Sequence, residues 1–276
     1  MVKIKQIYRK RDRDVHKYDF GSLLIIGGSK IYHGAPLFNA LGALRSGVDL
    51  VTVVSPERAA NIIASYSPDL ITYPLKGDYL NIAHIKEIKK LLKDKTGVVI
   101  GGGCIGRNKS THEAIITILK DLKLPCVVDA DAIHAVANNI HIIKNKNFVL
   151  TPHAYEFFIL SGEKTSENMN ERIKQVRKFA YEFKTTILLK GNTDIISNGE
   201  DICLNKTGTP YMTKGGTGDI LAGICGSLLA RGIDCFTSAC YSAYINGKAG
   251  EKASRKYGEG MLASDILKEI PDVIRN

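Results

Sequence analysis

Leu23-Leu24-Ile25-Ile26-Gly27-Gly28-Ser29 sets four aliphatic residues in a row and then breaks them with two glycines and a serine. A run this short and this apolar predicts a strand buried on both faces. Tyr32-His33-Gly34-Ala35-Pro36 leads from it toward a helix over Ala35 to Arg45, and Leu50-Val51-Thr52-Val53-Val54 follows as a second strand. Strand, helix, strand is the pattern of a parallel crossover. It repeats along the chain. Strands are expected at Val98 to Ile100, Cys126 to Val128, Phe148 to Leu150 and Ile187 to Leu189. Helices are expected at Ile82 to Lys93, Thr111 to Leu122 and Asn170 to Phe183, the last with Ile173, Val176 and Ala180 at helical spacing. The fold class implied is α/β, with a mainly parallel sheet covered by helices.

After Lys190 the pattern changes to short strands with turns at Asn198-Gly199 and Thr207-Gly208, which predicts an antiparallel edge. The remainder is helical. Ala239, Ala243 and Gly247 fall four apart, a small-residue stripe expected to pack closely against a helix starting near Gly218.

The 276 residues suffice for one large α/β domain, and no linker divides them, so residues 1–276 are expected to form a single unit. Hydrophobic residues make up 44% and charged residues 24%, the balance of an ordinary globular protein. The longest apolar run, after Asp219, is broken by Ser227 and stopped by Arg231, short of the roughly 20 residues a membrane span needs. Lys3, Lys5, Arg9, Lys10, Arg11 and Arg13 have no apolar core behind them and make no secretory signal. A cytoplasmic protein without membrane contact is expected. The formal charge is +10, but the cations are spread among Asp and Glu, which argues against nucleic acid and suits a small polyanionic substrate. Cysteines 104, 126, 203, 225, 235 and 240 stand singly, with no zinc spacing, and are expected to be reduced core residues.

Thr213-Lys214-Gly215-Gly216-Thr217-Gly218-Asp219 runs directly into the apolar Ile220-Leu221-Ala222-Gly223. Three glycines in four positions free the backbone to turn its N–H groups toward one point where a helix begins, which makes an anion site. Asp219 closes that site with a carboxylate placed to take a hydroxyl proton, so phosphoryl transfer is the leading chemistry. In parallel sheets ligands lie beyond the carboxyl ends of the strands. Five other segments fall there: Gly27-Gly28-Ser29, Gly101 to Gly106, Asp129-Ala130-Asp131, Thr151-Pro152-His153 and Lys190-Gly191. Each alone has an ordinary reading, as a packing glycine, a helix cap or a loop histidine. Together at one face they point to a site.

These segments, with His16 to Gly21, resemble the NAD(P)H-hydrate dehydratase family of the ribokinase-like superfamily over nearly the whole chain. The resemblance implies a three-layer α/β/α fold and a dehydratase without the epimerase domain that many members carry. It implies nucleotide-dependent dehydration of the S-form of hydrated NADH or NADPH, by phosphorylation of the ring hydroxyl and loss of phosphate. Asp219 is then the catalytic base, and the amides of Gly216, Thr217 and Gly218 form the anion hole. Ala35, Gly106, His153 and Asp219 contact the hydrate. Lys190, Gly191, Asn192, Thr193, Asp194 and Gly218 hold the adenine nucleotide, ADP or alternatively ATP, with Mg²⁺ as cofactor. Asp129 and Asp131 are candidates for orienting Mg²⁺ or substrate, and the metal ligands are not identified. A homotetramer is implied as well. The chain departs from the family pattern at Gly103 and Cys104, where Pro and a large residue are common, and at Ala154 and Tyr155 before Glu156. Two alternatives stay open: a kinase of the same superfamily acting on a vitamin precursor or sugar alcohol, and a non-catalytic nucleotide-binding sensor.

Overall fold

The computed structural model describes residues 4–101 and 105–275. Lys3 of the basic N-terminal segment, and Gly102, Gly103 and Cys104 of the glycine turn, lie outside the described residues. The strands are β1 (Ser22–Ile26), β2 (Leu50–Pro56), β3 (Ile71–Leu75), β4 (Gly97–Ile100), β5 (Cys126–Val128), β6 (Phe148–Leu150), β7 (Thr186–Leu189), β8 (Asp194–Ser197) and β9 (Ile202–Asn205). They join in one sheet in the order β3-β2-β1-β4-β5-β6-β7-β8-β9. The pairs from β3 to β7 are parallel and the two last are antiparallel, so the expected edge after Lys190 is present. The strand order reverses direction between β1 and β4, the kind of switch point beside which open α/β sheets bind ligands.

The helices are α1 (Gly34–Arg45), α2 (Glu57–Tyr66), α3 (Ile85–Leu91), α4 (Lys109–Asp121), α5 (Asp131–Ala137), α6 (Ala154–Ser161), α7 (Met169–Phe183), α8 (Thr217–Ala230), α9 (Cys235–Tyr257) and α10 (Ala263–Arg275). Alternating strand residues face opposite layers. Leu24, Ile26, Val98 and Ile100 pack with Ile115 and Leu119 of α4, Val136 of α5, Phe157 of α6 and Val176 of α7. Leu23, Ile25, Val51, Val53 and Val99 pack with Ala40 and Ala43 of α1, Leu221, Cys225 and Leu229 of α8, and Ala239 and Ala243 of α9. The opposite face of α8, through Ile220, Ile224 and Leu228, meets Ile245 of α9 and Ile266 and Ile270 of α10. This makes three layers, with α10 covering α8 and α9 from outside.

Several details differ from the sequence reading. The structure adds β3, an edge strand containing Pro74 whose side chains are largely exposed or half-buried, and the helices α2, α5 and α6. The helix expected over Ile82 to Lys93 is α3 flanked by 3-10 turns at Ile82–His84 and Leu92–Asp94, with Asn81 capping the first. The small-residue stripe divides: Ala239 and Ala243 pack with α8, but a Cβ on Gly247 would lie 2.1 Å from Thr207 Oγ1, so Gly247 accommodates the segment after β9.

Among the described residues no helix is long and apolar enough to cross a membrane. Helix α8 is seated by close backbone contact: a Cβ on Gly223 would lie 2.1 Å from the carbonyl oxygen of Asn39 in α1. Backbone cannot swing aside as a flexible side chain does. Gly223→Ala is therefore expected to destabilise the protein by about 1–3 kcal/mol, read as a lower midpoint in thermal or urea unfolding. The same substitution at Gly232, where nothing lies within 4 Å, serves as a comparison for φ alone.

Candidate active site

β5 delivers Asp129 to the carboxyl edge of the sheet, where it is buried. Its Oδ1 accepts from the Thr151 hydroxyl at 2.6 Å, just past β6, and from Lys190 Nζ at 3.2 Å, just past β7. Adjacent parallel strands thus bring residues 22 and 61 positions away onto one oxygen. Lys190 Nζ also lies 3.8 Å from Glu156 Oε2 in the first turn of α6. Burial alone would lower the Lys190 pKa, but the carboxylates of Asp129, Glu156 and Asp219 outweigh it and the net shift is upward. The ammonium is held charged.

The glycine loop meets this cluster. Gly216 caps α8 with φ +98°, in the left-handed region, and a Cβ there would lie 2.7 Å from the Phe38 ring. The Thr217 hydroxyl donates to the carbonyls of Met212 at 2.9 Å and Lys214 at 3.0 Å, which fixes the loop from within. Of the expected anion-hole amides, Thr217 N–H reaches the Lys214 carbonyl at 3.4 Å, while those of Gly216 and Gly218 find no acceptor among the described residues. The Asp219 amide is equally free. A helix start with free amides and no side-chain cap attracts an anion. Gly218 is also next to the cation, since a Cβ there would lie 3.7 Å from Lys190 Nζ.

Asp219 sits half-buried in the first turn of α8, and Asn39 Nδ2 of α1 donates to its carbonyl at 2.6 Å. Burial, then the like charge of Asp129, raises its carboxyl to about 7, with Lys190 pulling the other way. A carboxylate poised there is a competent base near neutrality.

The other expected residues divide into two groups. Lys190, Gly218 and Asp219 come together. Gly191, Asn192 and Thr193 form the turn between β7 and β8, with Gly191 and Asn192 exposed. Asp194 is occupied by the protein itself: Oδ1 accepts from Gly191 N–H at 3.0 Å and Oδ2 from Asn205 Nδ2 at 2.9 Å. Burial raises its pKa, and the side chain shapes the turn. Ala35 lies half-buried in the first turn of α1.

His153 caps α6: its Nδ1 accepts from the amides of Tyr155 and Glu156 at 3.2 and 3.3 Å. Glu156 Oε2 returns a bond by accepting His153 N–H at 2.8 Å, a reciprocal cap. Gly106 N–H donates to Asp131 Oδ2 at 3.2 Å, and Arg107 Nε takes Oδ1 at 2.6 Å, so both oxygens of Asp131 are engaged. Glu156, Asn39 and Arg107 were missed from sequence. Only Glu156 carried a local signal, its place three residues after a capping residue, and histidine is an uncommon cap.

A family model described as NAD(P)H-hydrate dehydratase matches residues 23–272. The chain belongs to that family. An ADP-dependent (S)-NAD(P)H-hydrate dehydratase of Nitrosopumilus maritimus is 38% identical over 273 residues, 99% of this chain and 94% of that protein. A bifunctional NAD(P)H-hydrate repair enzyme of Pyrobaculum aerophilum is 40% identical over 267 residues, covering 96% of this chain and 52% of its own. The chain thus spans about half the length of several curated relatives it matches. The solved ADP/ATP-dependent NAD(P)H-hydrate dehydratase of Bacillus subtilis, co-crystallised with ATP and Mg²⁺, superposes with a TM-score of 0.82. The two share 25% identity over 99% of this chain and 95% of that one. The fold of this NAD(P)H-hydrate dehydratase family member is ribokinase-like, as the motifs implied.

The raised Asp219 pKa has a consequence for stability. A carboxyl whose folded pKa, about 7, exceeds its ordinary value of 3.8 binds its proton more tightly in the folded state. Its contribution is favourable while protonated and is lost as pH rises through about 7. Asp219→Asn removes that loss. The variant is expected to melt several degrees above the wild type at pH 8, the difference shrinking toward pH 4. A variant melting below the wild type at pH 8 would contradict the raised pKa.

Proposed function

We propose that the chain, residues 1–276 acting as one unit, catalyses ADP-dependent dehydration of the S-form of hydrated NADH or NADPH, returning the usable dinucleotide. The observation that carries it is the approach of Gly218, at the uncapped start of α8, to Lys190, whose charge acts on Asp219. Names of relatives support the substrate and the donor: one is an ADP-dependent dehydratase, and another accepts ADP or ATP.

A hydroxyl on the reduced nicotinamide ring leaves poorly, whereas a phosphate ester leaves readily. Asp219 takes the hydroxyl proton as its oxygen attacks the terminal phosphorus of the nucleotide, and AMP departs, or ADP when ATP is the donor. Lys190 and the loop amides hold the phosphoryl oxygens while charge develops on them. The ester C–O bond then breaks, phosphate leaves with the electron pair, and loss of a ring proton restores the double bond. Ala35, Gly106 and His153 are assigned to the hydrate, and the turn from Lys190 to Asp194 to the adenine nucleotide.

Among the described residues no group of three or more His, Cys, Asp or Glu side chains is placed to cage a metal ion. That fits Mg²⁺ carried in on nucleotide phosphates, the usual mode for this ion. Asp129 Oδ2, with no partner among the described residues, is the carboxylate oxygen available to it, while Asp131 is engaged elsewhere. When bound, the ion would neutralise charge on the transferring phosphoryl group. The proposal extends to the cytoplasmic location expected from the sequence and to a homotetramer, which rests on the family resemblance. Light scattering of the purified protein tests the latter.

The assay is recovery of NADH absorbance from hydrated NADH with Mg²⁺ and either ADP or ATP. Recovery with ADP is expected. None with either nucleotide, in folded protein, overturns the proposal. Asp219→Asn should lower kcat by roughly 10² to 10⁴ while nucleotide affinity persists. In the wild type kcat/KM should fall as pH drops below about 7, following protonation of Asp219.

A further inference from the structure

The end of β5 carries two carboxylates that hold two different cations. Asp129 takes Lys190. Asp131, its side chain 9% exposed, takes Arg107 Nε at 2.6 Å and the Gly106 amide at 3.2 Å. Between them Ala130 has φ +49° and ψ −122°, a conformation that costs energy for a residue with a Cβ. That turn sends the two carboxylates to different neighbours. Lys190 acts electrically on Asp219. Arg107 acts instead on His112 and His134, adding to the burial that lowers both their pKa values.

Arg107 follows β4, which pairs with β1 across the point where strand order reverses. Ligands of open α/β sheets bind beside such a point. Only Nε of the guanidinium is bonded; the terminal nitrogens have no acceptor among the described residues, and 60% of the side chain is exposed. A free arginine samples many rotamers. Held at Nε by a buried carboxylate, this one presents two N–H groups in a fixed fork that matches the oxygens of a phosphate. The donor's transferring phosphoryl group is already served by Lys190 and the loop amides.

We propose that Arg107, oriented by Asp131, binds a phosphate of the hydrated dinucleotide and so fixes the nucleotide half of the acceptor at the carboxyl edge of the sheet beside the end of β5 while its ring hydroxyl lies at Asp219. This rests on the dehydratase activity proposed above. The acceptor offers two sources of phosphate: the pyrophosphate shared by both hydrates, and the 2′-phosphate of the NADPH form.

The test uses Arg107→Gln and Arg107→Lys in the full chain. For Arg107→Gln, KM for a hydrate should rise roughly 10- to 100-fold, with a far smaller change in kcat and an unchanged KM for ADP. Arg107→Lys, which keeps charge and loses the fork, should fall between. A rise for both hydrates assigns the pyrophosphate, and a rise for the NADPH hydrate alone assigns the 2′-phosphate. An unchanged KM for both, or a rise confined to ADP, overturns the proposal. Binding of NADPH, followed by its fluorescence, separates this from the activity itself. If the wild type turns over neither hydrate, the dehydratase reading fails. Arg107 is then judged on the NADPH Kd, expected to weaken by the same factor in Arg107→Gln; an unchanged or unmeasurable wild-type affinity overturns it.

Discussion

Lys190 Nζ stands among three carboxylates, Asp129, Glu156 and Asp219, and the site depends on how one cation is shared among them. Asp129 has the closest contact together with a hydroxyl donor from Thr151. Glu156 is further supported by the His153 amide. Asp219 has no such contact with Lys190 among the described residues, and burial with the charge of Asp129 disfavours its ionised form. Its basicity is thus a property of the cluster. Burial and the neighbouring charge of Asp129 raise Asp219, and Lys190 opposes that rise without cancelling it.

That balance requires α8 to begin at one point above the sheet. The approach of Gly223 to the Asn39 backbone sets how deeply the helix lies against α1, and Asn39 Nδ2 then grips the Asp219 carbonyl. Thr217 pins the loop on the other side through the carbonyls of Met212 and Lys214. Packing in the layer beneath the site and placement of the base are therefore one constraint. A helix start left without a side-chain cap costs stability in an ordinary domain, and here it leaves amides free for the anion site proposed above.

The sheet and the glycine loop were legible because their signals are local. Unbroken aliphatic runs such as Leu23 to Ile26 and Phe148 to Leu150 have one favoured environment, and a glycine cluster ahead of an apolar helix has few others. β3 escaped because Pro74 and an exposed face remove the strand pattern. In the site, residue types were readable but their bonds were not. Asp131 and Asp194 carry the expected carboxylates, yet the first is committed to Arg107 and Gly106 and the second to Gly191 and Asn205. Asn39 lies 180 positions from Asp219, and Arg107 lies 24 from Asp131. Such partnerships arise from the crossing of helices and the order of strands, which no window of sequence contains.

If the site takes two polyanions as proposed, the Asp129-Ala130-Asp131 turn gives a reason they can share one edge of one sheet. Each phosphate brought near Asp219 raises the pKa of that base further, by like-charge repulsion, and so works against the chemistry. Positive groups placed only beside Asp219 would restore its charge but draw every phosphate to the same point. Splitting the strand-end carboxylates, with Asp129 holding Lys190 near Asp219 and Asp131 holding Arg107, would give each proposed polyanion its own cation. The strained φ at Ala130 is the local cost of that separation. Lys190 and the α8 amides would then have to offset only the phosphoryl group in transit, and Asp219, raised to about 7, would serve as the proposed base near neutral pH.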